Sequence, residues 1–108
     1  LQQVLLNLIV NAADAMSETR ESERVLTIRS DATGEHVRVS VTDRGPGVTA
    51  DHLKSVFDPF WTTKPSGMGI GLSICRSIAN AHRGSLTAAN CAEGGAEFCV
   101  TLPVDAAA

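Results

Sequence analysis

The 108-residue chain lacks most of the features that mark a specialised binding class. Basic charge is scarce: nine Lys and Arg stand against twelve Asp and Glu, for a net charge of -3. That leaves no electrostatic footprint for nucleic acid. No apolar run approaches the roughly 20 residues that a membrane-spanning helix needs. The three cysteines, Cys75, Cys91 and Cys99, are odd in number and show no CxxC spacing, and the three histidines are scattered. This pattern argues against a metal cluster and points to free thiols in a reducing compartment. Aromatic side chains number only four, and three of them, Phe57, Phe60 and Trp61, lie within five residues. What remains is a composition of 44% hydrophobic and 19% charged residues, ordinary for one modest domain with a single core.

The stretch LQQVLLNLIVNAADAM predicts a helix over residues 1–16 that is already in rhythm at its first residue, as in a piece cut from a longer protein. Residues 17–23 are polar and read as a loop. RVLTIRS and EHVRVSVTD alternate around DATGE and predict a hairpin. TADHLKSVF carries a Thr or Asp cap and a short helix. DPFWTTKPSGMG is an irregular loop, and IGLSICRSIANAH is a second long helix with Arg83 and Gly84 at its C-terminal cap. GSLTAANC and AEFCVTLPV form a second hairpin around AEGG, and residues 105–108 read as a frayed tail after a domain over 1–104. Strands arriving as hairpins between helices predict an α/β (α+β) two-layer sandwich, a mixed β-sheet covered on one face by helices.

The first helix has a narrow polar stripe. At about 100° per residue, Gln3, Asn7, Asn11 and Asp14 fall within roughly 80°. Leu5, Leu8, Ile9, Ala12, Ala13 and Met16 fill most of the remainder. The stripe is either a solvated edge of a largely buried helix or the wall of a polar pocket. Asn7 and Asn11 stack one turn apart, and amide oxygens are hard donors suited to Mg²⁺.

Asp43 falls in step with Val37, Val39 and Val41, so a carboxylate is aimed where valines point. It is followed by Gly45 and Gly47 in DRGPGV. Such a residue either forms a buried salt bridge or meets a ligand. A second glycine group, Gly67, Gly69 and Gly71, runs directly into the second helix. There it either serves turns or places backbone N–H groups and the positive helix end around an anion. Its spacing is G-x-G-x-G, which is not a Walker P-loop. The upstream aromatics anchor a loop, and Thr62, Thr63 and Lys64 offer hydroxyls and a cation to a phosphate.

The motifs N-x-x-x-N-A, D-x-G-x-G, F-x-P-F and G-x-G-x-G-L occur in this order. They resemble the N box, first glycine box, F box and second glycine box of the ATP-binding catalytic domain of sensor histidine kinases. That domain has the Bergerat (GHKL) fold shared with gyrase and MutL. FDPFWTTKPSGMGIGLSICRSI is most similar to the FixL- and NtrB-like branch. The resemblance covers nearly the whole chain. It implies an N-terminal truncation, with the first strand and the start of the first helix missing.

The resemblance further implies ATP and Mg²⁺ as cofactors. Asn11 would ligate the metal, with Asn7 lining the same pocket. Asp43 would accept from the adenine amino group beside Gly45, Gly47 and Val48. Gly67, Gly69, Gly71 and Leu72 would hold the phosphates, with Lys64 and Arg76 as further phosphate contacts. The position three after Asn11, often basic in relatives, is Asp14. Asn7 stands where gyrase-like ATPases carry the Glu that activates water, and an amide cannot act as a base. The implied reaction is therefore transfer of the γ-phosphoryl group to a histidine on a separate dimerisation domain, and from there indirectly to a response regulator. His36, His52 and His82 read as ordinary surface or cap residues, and the acceptor lies outside the chain. The fragment is expected to be cytoplasmic and monomeric, without nucleic-acid or membrane contact, while its parent is open to being membrane-anchored. The competing readings are a GHL-type ATPase, an anti-sigma-type serine kinase and a degenerate regulatory nucleotide-binding module.

Overall fold

Helix α1 (Gln2–Ala15) buries Val4, Leu8 and Ala12, one turn apart, and the next turn adds Met16. In the computed structural model, which describes residues 2–58, 71–92 and 94–104, this ridge lies on a four-stranded sheet. The strands are β1 (Thr27–Thr33), β2 (His36–Thr42), β3 (Ser85–Asn90) and β4 (Ala96–Pro103), in the order β1-β2-β4-β3. A short helix α2 (Ala50–Leu53) follows β2, and α3 (Gly71–Ala81) precedes β3. The tail expected at 105–108 lies outside the described residues, as does most of the loop DPFWTTKPSGMG.

The two-layer arrangement agrees with the pattern of the sequence. The prediction of a mixed sheet is corrected, because the described strands pair antiparallel throughout. Each hairpin closes on itself, and the two hairpins meet through β2 and β4, which run in opposite directions. The register places Val41 opposite Phe98 and Val39 opposite Val100, so the core-facing rows of both hairpins coincide. Leu86 of β3 and Cys75 and Ala79 of α3 complete the cluster. Phe57 packs edge-on against Phe98 with ring centroids 6.2 Å apart, and the Arg76 guanidinium lies 5.4 Å from the Phe57 centroid. Burying a side chain such as Leu8 or Phe98 stabilises the fold by about 1.5–3 kcal/mol.

Two boundaries differ from the sequence reading for physical reasons. Strand β1 is shifted toward the C-terminus because Gly34, at φ +60°, closes a two-residue turn, with Thr33 paired to His36. Asp31 and Ala32 therefore stay in the ladder, with Asp31 facing Arg38. Arg24, read as the start of that strand, instead donates from Nε to the Thr19 carbonyl at 2.7 Å and from Nη2 to the Ser17 carbonyl at 2.9 Å. It thereby closes the α1–β1 connection, whose residues Glu21–Glu23 form a single 3₁₀ turn. Strand β1 is mostly exposed, with Ile28 at 50%, so the helices cover β2, β4 and β3 but not this edge.

Both expected caps are present. The Thr49 hydroxyl accepts from the His52 N–H at 3.3 Å. At the end of α3, the Arg83 N–H donates to the Asn80 carbonyl and the Gly84 N–H to the Ala79 carbonyl at 2.8 Å, a Schellman closure. The left-handed residue is Arg83, at φ +64°, and not the glycine. Gly84 is required for a different reason: a Cβ there would lie 2.1 Å from the Thr101 carbonyl oxygen of β4. Among the described residues no helix is long and apolar enough to cross a membrane.

Candidate functional site

The alternation that aims Asp43 inward is borne out, since the residue is only 2% exposed at the end of β2. Its Oδ1 accepts from the Gly45 N–H at 2.8 Å and from the Ala96 N–H at 3.3 Å, while its own N–H donates to the Ala96 carbonyl at 3.0 Å. Bonds from backbone donors to a charged acceptor contribute about 1.5–3 kcal/mol each and offset the cost of burying the group. The partners of Asp43 among the described residues are thus amides and not a cation, which removes the salt-bridge alternative there. Both bonds fall on Oδ1. The second oxygen, Oδ2, has no donor among the described residues.

The loop after Asp43 is pressed between two parts of the protein. On one side it meets the end of α1. The Arg44 N–H donates to Met16 Sδ at 3.3 Å, and a Cβ on Gly45 would lie 2.6 Å from the Ala15 carbonyl oxygen. On the other side it meets the β3–β4 hairpin. Gly47, at φ +81°, would place a Cβ 2.8 Å from Asn90 Oδ1. At Gly45 and Gly47, then, the atoms nearest a side chain would belong to the protein itself. Close packing and backbone conformation account for both glycines.

Asn7 and Asn11 are half-buried on α1, and Gln3 and Asp14 at the margins of the stripe are exposed. Asn7 lies on α1 near Cys75 of α3, whose thiol donates to the Val4 carbonyl oxygen at 3.9 Å. Burial pushes the Cys75 thiol up, and Asn7 opposes that shift in part. Val48 and Leu72 both pack on the core cluster, which brings the first glycine loop and the start of α3 onto the same core. Gly71 opens α3, and a Cβ placed there would meet no described atom within 4 Å. Arg76 lies over Phe57. Lys64, Gly67 and Gly69 lie outside the described residues.

Two residues that sequence reasoning missed hold the loop in place. The Asn90 side chain pairs with the Val48 backbone in both directions. Gly95, at φ +89°, allows the Asp43 carbonyl to approach to where its Cβ would stand. A signal for Asn90 was available. Leu86, Ala88 and Asn90 are in step along β3, so a polar residue follows the core-facing positions of that row, exposed where Asp43 at the end of the β2 row is buried. A separate cleft of about 460 Å³ opens behind the loop, lined by Ser17, Glu18, Arg20, Glu23, Arg44 and Pro46 among others. It shares only Gly45 with the predicted site, and its charges of both signs single out no ligand.

Over residues 1–106 the chain matches, and belongs to, the family of histidine kinase-, DNA gyrase B- and HSP90-like ATPases. Within that family its similarity runs to the catalytic domains of sensor histidine kinases. It is 49% identical to the C4-dicarboxylate transport sensor protein DctS of Rhodobacter capsulatus, over 96% of this chain and 16% of that protein. It is 46% identical to the sensor protein FixL of Bradyrhizobium diazoefficiens, over 95% of this chain and 20% of that protein. The chain therefore spans no more than a fifth of these relatives' length. Among solved structures it is similar to the nucleotide-free catalytic domain of histidine kinase ThkA. There the TM-score is 0.81 and the identity 38%, with 94% of this chain and 64% of that one covered.

Proposed function

We propose that this chain is the part of a longer sensor kinase that binds ATP with Mg²⁺ and donates the γ-phosphoryl group to a histidine on a separate dimerisation domain. The observation that carries the reading is Asp43, buried at the end of a valine row with one oxygen held by backbone amides and the other without a donor among the described residues. A carboxylate so placed accepts from the 6-amino group of adenine, a position where guanine carries a carbonyl oxygen. Its bonding to the protein is complete before the base arrives, so the base meets an oxygen already in position.

The donor set of α1 fits a magnesium ion. Asn7 and Asn11 offer hard amide oxygens one turn apart and half-buried. Among the described residues no group of three His, Cys, Asp or Glu could hold a metal by itself. An ion held by Asn11 would take its remaining ligands from phosphates and water, the usual habit of Mg²⁺. When bound, it neutralises phosphate charge. The N-terminus of α3, with Gly67, Gly69, Gly71 and Leu72, supplies backbone N–H groups to the phosphates. Lys64 and Arg76 are assigned as additional phosphate contacts. The histidine nitrogen forms a bond to the γ-phosphorus while the bond to the bridging oxygen breaks and ADP departs. Positioning and charge neutralisation suffice for this step.

Asn7 favours this reading over a GHL-type ATPase, because an amide at that position cannot activate water. The histidine kinase ThkA has been solved in complex with the response regulator TrrA, and that structure shares 35% identity with this chain at a TM-score of 0.79. It supports a response regulator as the later recipient of the phosphoryl group. We place the domain on the cytoplasmic side of its parent, as a monomer when isolated.

Calorimetric titration with ATP in the presence and absence of Mg²⁺ tests the site. ATP should bind more tightly with Mg²⁺, and Asn11→Ala should remove most of that difference. Equal Mg²⁺ dependence in the variant and the wild type would refute the assignment of Asn11.

A further inference from the structure

Asn90 follows the core-facing positions of β3 and brackets one residue of the neighbouring loop. The Val48 N–H donates to Asn90 Oδ1 at 2.8 Å, and Asn90 Nδ2 donates to the Val48 carbonyl oxygen. Two backbone residues exchange bonds in this way across an antiparallel pair. The side-chain amide thus adds a rung where the loop backbone has left the ladder.

The same residue sits at a junction. Asn90 is paired with Ala96 in the β3–β4 register. Ala96 is also the residue whose N–H and carbonyl bond to Asp43. One rung of the hairpin therefore secures both ends of segment 43–48: Asp43 through Ala96, and Val48 through Asn90. Gly47, between them, comes so close to Asn90 Oδ1 that a Cβ would stand 2.8 Å from it. The loop has been left without a side chain at the place where the amide presses on it.

We propose that Asn90 is a positioning residue for nucleotide recognition. It acts through the Gly47 and Val48 backbone to keep the loop in the shape in which Asp43 Oδ2 meets the base. The proposal rests on the reading of Asp43 given above. Without the brace, the nucleotide itself must order the loop, and that ordering cost appears as weaker binding and poorer discrimination between bases.

The test compares dissociation constants of Mg²⁺–ATP and Mg²⁺–GTP for the wild type, Asn90→Ala, Asn90→Asp and Asp43→Asn. Thermal midpoints are measured without nucleotide. Asn90→Ala should weaken ATP binding about threefold to tenfold, the effect of losing one or two net hydrogen bonds. It should also narrow the preference for ATP over GTP. Asn90→Asp keeps an acceptor for the Val48 N–H and loses the donor, so it should fall between Asn90→Ala and the wild type. It also keeps the test open if Asn90→Ala does not fold. A purely structural role would lower the midpoint and leave the ATP-to-GTP ratio unchanged, and that outcome overturns the proposal. If Asp43→Asn loses ATP affinity while both Asn90 variants stay within twofold of the wild type, the proposal fails and the Asp43 reading stands. If Asp43→Asn leaves ATP binding intact, the Asp43 reading fails and takes this proposal with it.

Discussion

The Asp43 N–H donates to the Ala96 carbonyl at 3.0 Å, and the Ala96 N–H donates back to Asp43 Oδ1 at 3.3 Å. The carboxylate is thereby tied to the first residue of β4 as firmly as a ladder pair. Its orientation is a property of the sheet and not of a free side chain.

This geometry makes Asp43→Asn a clean substitution. The amide keeps an oxygen for the Gly45 and Ala96 donors, so the folded state should retain nearly its full thermal midpoint. The other atom becomes an N–H donor and faces the donor of adenine. ATP should bind about tenfold to a hundredfold more weakly, with GTP, whose O6 carbonyl accepts, gaining relative to ATP. Calorimetry with both nucleotides reads the change, and an unchanged ATP-to-GTP ratio would contradict the role of Oδ2.

The cap of α3 separates two uses of glycine at adjacent positions. Arg83 holds φ +64°, a conformation that costs about 1 kcal/mol in a residue with a Cβ. Arg83→Gly should therefore stabilise the fold by roughly 0.5–1 kcal/mol. Gly84→Ala should destabilise it by about 2 kcal/mol or more, because the new Cβ would meet the Thr101 carbonyl. Urea denaturation of the two variants checks both signs.

Cys75 of α3 is fully buried against α1, where its thiol donates to the Val4 carbonyl at 3.9 Å, and burial raises its pKa against a smaller opposing effect of Asn7. A raised value in the folded state means that the stability linked to this thiol is present below its ordinary range and is lost as pH climbs through the raised value. Iodoacetamide at pH 8 should label the half-buried Cys91 well before Cys75, as peptide mapping would show. The wild type should also lose more stability than Cys75→Ala when denaturation is repeated above the ordinary thiol range. Equal labelling of the two cysteines would contradict the burial of Cys75.

Much of this could be read from residue order, because period and polarity are local signals. The inward aim of Asp43, the stripe on α1 and the Thr49 cap all follow from spacing. The fixation of the loop was harder to read, because it depends on β4 lying beside β2. Asn90 and Val48 are 42 residues apart, and Gly95 serves the Asp43 backbone across a similar gap. The glycines of DRGPGV stood out, but their reason is contact with Ala15 and Asn90, which only the packed structure supplies. The edge of β1 moved because a two-residue turn at Gly34 was enough to close the hairpin. The sequence alone shows Gly34 but not how tightly the chain turns there.

In the proposed reaction the γ-phosphoryl group goes to a histidine outside this chain. The direct measurement mixes the protein with γ-labelled ATP, Mg²⁺ and the dimerisation domain of its parent, and then tests the stability of the label on that domain. The account predicts label that acid removes and base does not. Acid-stable label on a serine, or release of free phosphate with no label on the acceptor domain, would contradict it.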